Sequence, residues 1–243
     1  MKITVLRNDP GVPPGSLLRV AADREVDVDV VALDAGDALP DSSEVEAVVV
    51  LGGEMGAYDT DRYPYLAAEK AFLRSAVGRG VPVLGLCLGC QLLADTLGGS
   101  AYLAPVPEVA FAPIDGVATD PVVDILTMEP SLMMHRDTWD LPPGGVLLAR
   151  STRYNQAFRL GSALGIQPHP EIDADIVASW FAHESGVDLA HQAGADPARV
   201  LAAVVDDMAT VDAVADRFFG AWITEAQMHL RGSAAGTTQP STG

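Results

Sequence analysis

The chain has 243 residues, 49% of them hydrophobic, enough for one large domain or two small ones with a substantial core. Its formal charge of −18, from 33 acidic against 15 basic residues, argues against a nucleic-acid partner or an anionic membrane, both of which call for a basic surface. No apolar run reaches the length of a membrane span, MKITVLRND lacks the apolar core of a signal peptide, and two cysteines three residues apart make neither a disulfide framework nor a zinc site, so a reducing, cytoplasmic setting is expected.

In chain order, Lys2 to Leu6 reads as a strand and Arg7 to Gly15 as a Pro/Gly loop. Ser16 to Arg24 fits a short helix. Val26 to Leu33 and Val45 to Leu51 read as strands, the latter nearly all apolar, as in a parallel sheet covered on both faces. Gly52-Gly53 ends that strand. Asp61 to Arg79 has the pattern of an amphipathic helix, with Gly80 past its end. Val81 to Leu86 is a further buried strand, and Leu88, Leu92, Leu93 and Leu97 recur at helical spacing up to Gly98-Gly99.

Beyond Gly99, short β-like segments rich in Pro suggest an antiparallel or mixed extension of the sheet: 100–103, 108–114, 146–149, 156–159 and 163–167. His135 and Asp137 are read as part of a local turn before Pro142-Pro143, with Trp139 packed, rather than as chemistry. Asp173 fits the N-cap of a helix through Glu184, Asp196-Pro197 the start of another, and Thr210 to Leu230 a longer one carrying Phe218, Phe219 and Trp222. The tail GSAAGTTQPSTG, 232–243, has the composition of a disordered segment.

The chain is organised around Val81 to Gly99. Between strand and helix lies Gly85-Leu86-Cys87-Leu88-Gly89, a G-x-C-x-G turn with the layout of a nucleophile elbow, sulfur replacing the serine oxygen. Such a turn lifts Cys87 above the sheet at a helix N-terminus, where unpaired N–H groups favour thiolate over thiol. A second stretch, GIQPHPE at 165–171, offers His169 and Glu171 two residues apart, which on a strand would share one side. Together they supply a nucleophile (Cys87), a base (His169) and an orienting carboxylate (Glu171). Cys90 reads as a small buried hydrophobe. Gln91, one helical turn after Cys87, is placed to reach the amino-acid end of a substrate. An acyl-transfer site also needs two N–H donors for the oxyanion; Leu88, the residue after the nucleophile, offers one.

GLCLGCQLLA (85–94), LGGEMGAYD (51–59), DRYPYLAAEK (61–70), NQAFR (155–159) and QPHPE (167–171) together resemble the class I glutamine amidotransferases, of the stand-alone kind similar to the glutaminase part of GMP synthase. The resemblance implies an α/β fold of three layers, a mostly parallel central sheet with helices on both faces, flavodoxin-like, plus a C-terminal helical extension. It divides the chain into a catalytic domain over 1–184, a helical extension over 185–231 packed on it, and the tail. It assigns the second oxyanion donor to Gly53 and adds backbone contacts to substrate from Asn155, Gln156 and Ala157.

The implied reaction is hydrolysis of the glutamine side-chain amide through a γ-glutamyl thioester, releasing glutamate and ammonia. Neither metal nor cofactor is called for, and no P-loop or nucleotide-binding glycine fingerprint is visible, so an ammonia-accepting synthase would be a separate chain. Two alternatives stand beside this reading: a free-standing hydrolase of another γ-glutamyl amide, and an inactive binding or regulatory homologue. Two positions depart from the family pattern. Pro168 stands where an aromatic is usual, and Glu54 stands where small residues or Pro are usual, its carboxylate either facing the oxyanion or pointing away into water.

Overall fold

A computed structural model describes residues 1–236. Its elements in chain order are β1 (Lys2–Arg7), α1 (Ser16–Ala22), β2 (Asp27–Ala32), β3 (Ala47–Val50), α2 (Tyr65–Gly78), β4 (Val83–Leu86), α3 (Leu88–Thr96), β5 (Ser100–Ala112), β6 (Asp115–Gly116), α4 (Asp124–Met128), β7 (Ser131–Asp140), β8 (Val146–Arg150), β9 (Asn155–Leu160), β10 (Ala163–Ile166), α5 (Ala174–Ala182), α6 (Glu184–Gln192), α7 (Pro197–Asp206) and α8 (Met208–Gly236).

Eight strands form the main sheet in the order β2-β1-β3-β4-β10-β9-β8-β6. The pairs from β2 through β10 are parallel, and β9, β8 and β6 continue the sheet antiparallel. Alternation along the central strands feeds two cores, because successive side chains point to opposite faces. Ile3, Val5, Ala47 and Val49 pack with Leu17 of α1 and with Phe218, Phe219 and Trp222 of α8. Leu6, Val48 and Val50 pack on the other face with Leu66 and Leu73 of α2 and Leu92 and Leu93 of α3. Both faces are thus covered, which is why β3 and β4 are buried throughout. A smaller cluster, Leu132, Ile176, Val177, Val204 and Val211, seats α5, α7 and the start of α8 against β7.

Several expectations need correction. Residues 100–103 and 108–114 do not extend the main sheet. The first and most of the second lie in one long strand, β5, which pairs with β7 as a separate two-stranded ribbon, its register broken between Leu103 and Glu108. His135 and Asp137 lie inside β7, not in a turn. The ladder with β5 takes up that backbone, and Trp139 is buried as expected. The helix expected from Asp173 through Glu184 is interrupted at His183, whose extended backbone ends α5 and starts α6. Asp173 caps α5 as expected, its carboxylate accepting from Ile176 N–H at 2.8 Å, and Asp196 caps α7 by accepting from Ala198 N–H at 2.9 Å. Helix α8 runs past Gly232 to Gly236, into the stretch whose composition suggested a tail; the rest of that stretch, 237–243, lies outside the described residues. Among the described residues no helix is long and apolar enough to cross a membrane.

Candidate active site

Strands β3, β4 and β10 run parallel, so the loops after them open at one end of the sheet, the end where such folds hold their ligands. Cys87 follows β4 there. Its φ of 51° and ψ of −106° put a non-glycine residue in a conformation that costs about 1–3 kcal/mol. Two glycines permit the turn. A Cβ on Gly85 would lie 2.4 Å from Gly89 O, and one on Gly89 would lie 2.3 Å from Val50 O. The turn is tied down by Cys87 N–H donating to Ile166 O at 2.9 Å and Gln91 N–H to Cys87 O at 3.1 Å.

Cys87 is 7% exposed, its Sγ 3.9 Å from Met134 O on β7. Cys87 and His169 are close enough that Cys87 helps to raise the His169 pKa. A Cβ placed on Gly52 would lie 3.5 Å from both Cys87 Cβ and His169 Cε1, so the glycine lets the loop after β3 close over this pair. Cys90, by contrast, is fully buried, and burial pushes its thiol up, followed by the influence of Cys87.

His169 Nδ1 stands 2.7 Å from Glu171 Oε1. Contrary to the expectation from the sequence, the two residues do not share a strand face, because β10 ends at Ile166. Pro168 and Pro170 have no N–H to extend the ladder. Only His169 N–H bonds outward, to Leu132 O at 2.8 Å, as an isolated bridge to β7. The pair meets across a turn instead. Burial alone would lower the His169 pKa; the charges of Glu171 and Cys87 and the hydrogen bonds to both outweigh it and hold it well above the usual imidazole range. Glu171 is wholly buried and its Oε2 has no hydrogen-bond partner, so the carboxylate is committed to the histidine.

Gly53 lies against Leu88, where an added Cβ would come 3.1 Å from Leu88 Cδ2, so the two expected oxyanion donors are neighbours. Glu54 does point away from them: its Oε1 accepts from Ser185 Oγ at 2.8 Å on an exposed part of the surface. Gln91 is only 3% exposed, and its Nε2 donates to Asp137 O at 3.2 Å and Gln167 Oε1 at 3.4 Å. Asn155 donates from Nδ2 to Trp139 O at 3.4 Å, on the wall of an open cavity of about 550 Å³ between the β8–β9 turn and the ribbon. Gln156 points away into a buried polar cluster, its Nε2 donating to Glu108 Oε2 at 2.7 Å, while its carbonyl accepts from Gln167 N–H at 2.7 Å. Ala157 is buried opposite Ile166.

Two features escaped the sequence. One is the cluster under β7. His135 Nε2 sits 3.1 Å from Glu108 Oε2, and Ser151 Oγ donates to the same oxygen at 3.1 Å. Burial would raise the Glu108 pKa, but these bonds bring it below the usual carboxylate range. The other is Asp137 itself. Both carboxylate oxygens are buried, with Arg136 Nε 3.5 Å from Oδ1 and the Tyr58 phenol close enough for Asp137 to help raise its pKa. The signal was the H-x-D spacing, but without the β5 pairing it could not be told from a turn.

The layered sheet and the elbow at Cys87 define an α/β chain of the nucleophile-elbow kind. Residues 15–176 match the family model described as Glutamine amidotransferase class-I, and the chain belongs to that family. A GMP synthase [glutamine-hydrolyzing] of Thermomicrobium roseum is 36% identical over 130 residues, 52% of this chain and 23% of that protein. A putative glutamine amidotransferase-like protein of Salmonella typhimurium is 34% identical over 104 residues, 41% of this chain and 44% of that one. The chain thus spans less than half the length of these curated relatives. Among solved structures, a glutamine amidotransferase from Thermotoga maritima superposes with a TM-score of 0.79 at 25% identity, covering 92% of this chain and 98% of the other. One from Methylobacillus flagellatus gives 0.80 at 27%, covering 92% and 94%.

Proposed function

We propose that the chain hydrolyses the side-chain amide of glutamine, using Cys87, His169 and Glu171. The observation that carries this reading is the strained Cys87 turn set beside a buried His169 whose Nδ1 is held 2.7 Å from Glu171. Cys87 as thiolate attacks the amide carbon, forming a C–S bond. The oxyanion lies between the N–H groups of Gly53 and Leu88. His169, carrying the proton taken from Cys87, gives it to the departing nitrogen, and the C–N bond breaks to release ammonia. His169 then takes a proton from water, whose oxygen opens the γ-glutamyl thioester to glutamate and frees Cys87. Glu171 stabilises the charged imidazole throughout.

The surroundings suit an amino acid. Asp137 shares a hydrogen bond with Gln91 through its carbonyl, and Gln91 sits four residues, about 6 Å of helix rise, from Cys87. The buried Asp137 carboxylate supplies a counter-charge for the α-ammonium of the substrate, and neighbouring Arg136 a cation for its carboxylate. Asn155, Gln156 and Ala157 contribute through backbone. The resemblance to the glutamine-hydrolysing part of GMP synthases supports passage of the ammonia to a separate synthase.

The domain division at Glu184 and a cytoplasmic location complete this reading; limited proteolysis and fractionation test them. Assay of ammonia and glutamate from glutamine by the purified chain tests the activity itself. Equal release of both, absent from Cys87→Ala, supports it. Release only from other γ-glutamyl amides assigns a different substrate to the same three residues. No release from any such amide, with candidate synthases present, refutes the reading.

A further inference from the structure

The oxyanion loop and the base both stand on irregular backbone, which holds a catalytic geometry poorly unless something external supports it. Loop 51–56 has neither helix nor strand, and His169 lies in a turn between two prolines. In this chain part of the support comes from beyond the family-matched residues 15–176, from the rest of α5 and from α6.

Each helix reaches one half of the machinery. From α5, the Trp180 ring stands against His169, ring centres 5.0 Å apart and planes at 65°. Its Nε1–H donates to Gly11 O at 2.7 Å, which fixes the indole plane and ties it to the loop after β1. From α6, Ser185 Oγ donates to Glu54 Oε1 at 2.8 Å. Glu54 directly follows Gly53 and is held at three points by three elements. Its N–H donates to Asp9 Oδ2 at 3.2 Å, its carbonyl accepts from Arg136 Nη2 at 3.4 Å, and its carboxylate is held by Ser185. The helices also form one unit with the wall of the site: a Cβ on Gly186 would lie 2.2 Å from Trp180 O and 3.4 Å from Met134 Cε.

We infer that Trp180 and Ser185 are positioning residues, Trp180 holding the His169 ring in line with Cys87 and Ser185 holding the Gly53 N–H toward the oxyanion through Glu54. The chain's own helices thereby support both halves of the site. This inference rests on the hydrolase reading above. It also resolves the departure at position 54: a carboxylate is used there because it reaches a hydroxyl on α6.

The test is steady-state glutamine hydrolysis by the full chain and five variants. Trp180→Ala is expected to lower kcat about tenfold or more with KM nearly unchanged, and Trp180→Phe, which keeps a ring against His169, recovers most of it. Ser185→Ala and Glu54→Ala each lower kcat about threefold, and the double variant falls no further, because both remove the same bond. Wild-type kcat in Trp180→Ala, or independent multiplying effects at 54 and 185, overturns the inference while leaving the hydrolase reading intact.

Hydrogen exchange gives a readout that needs no activity, and serves if Trp180→Ala fails to fold. In Ser185→Ala the amides of 53–56 are expected to exchange at least about threefold faster than in wild type. Unchanged protection overturns the inference, even if the wild type proves inactive on every γ-glutamyl amide.

Discussion

Glu69 of α2 is buried completely, with Asn8 Nδ2 donating to its Oε1 at 3.2 Å and no partner on Oε2. Burial pushes its pKa up to about 8, opposed by the Asn8 bond and by Lys70. In the unfolded chain the group ionises near its ordinary value of 4.5. The folded state therefore holds a proton that the unfolded state has lost throughout the interval between these values, and stability falls as pH rises across it. The slope is about 1.4 kcal/mol per pH unit, so ionisation in the unfolded state costs the native state about 3 kcal/mol between pH 4.5 and 7. Glu69→Gln removes the titration and keeps the shape. Its amide can also donate to Asn8 Oδ1, which lacks a partner. Urea unfolding of both proteins at pH 5, 6, 7 and 8 measures the effect. The variant is expected to gain stability relative to wild type by about 1 kcal/mol per pH unit up to about pH 8, where the gain levels off. A difference that stays flat from pH 5 to 8 would refute the assignment of a neutral buried acid.

Two further predictions follow from the same geometry. Glu171→Gln leaves the His169 ring without its counter-charge and offers an amide where Nδ1 needs an acceptor; kcat for glutamine hydrolysis is expected to fall about a hundredfold or more with KM little changed, and a loss under threefold would exclude Glu171 from the mechanism. Arg159 joins β9 to Asp120 through a 2.7 Å bond and to Glu225 of α8 through a 2.6 Å bond, and burial of the carboxylate partner makes the loss expensive. Arg159→Ala should lower the free energy of unfolding by about 2–4 kcal/mol, and an unchanged denaturant midpoint would mean that these two bonds add nothing to the hold on α8.

The fold was legible where physics is local. The apolar runs at 45–51 and 81–86 announced buried parallel strands, and the paired glycines around Cys87 announced a turn whose reason, the close approach to Gly89 O and Val50 O, the structure supplies. Asp173 and Asp196 announced caps. What was illegible depends on distant partners. Nothing in HRDTWD says that β5 lies alongside it, so on its own the stretch reads as a turn. His169 and Glu171 come together for a reason other than strand alternation: two prolines end the ladder, and the turn brings the side chains to 2.7 Å. The resemblance gives Gln156 a backbone contact to substrate, and the burial of its side chain beside Glu108 could not be read without the β5 pairing. Trp180 and Ser185 carry no motif; only the packing of α5 and α6 over the loops shows their neighbours.

The proposed hydrolysis requires Cys87 to carry a γ-glutamyl group during turnover. The most direct measurement is mass spectrometry of the acid-quenched protein during glutamine hydrolysis, with peptide mapping. A γ-glutamyl adduct is expected on Cys87, absent from Cys87→Ala and absent from Cys90. Turnover with no adduct at any quench time in a variant whose thioester hydrolysis is slowed, or an adduct on another residue, would contradict it.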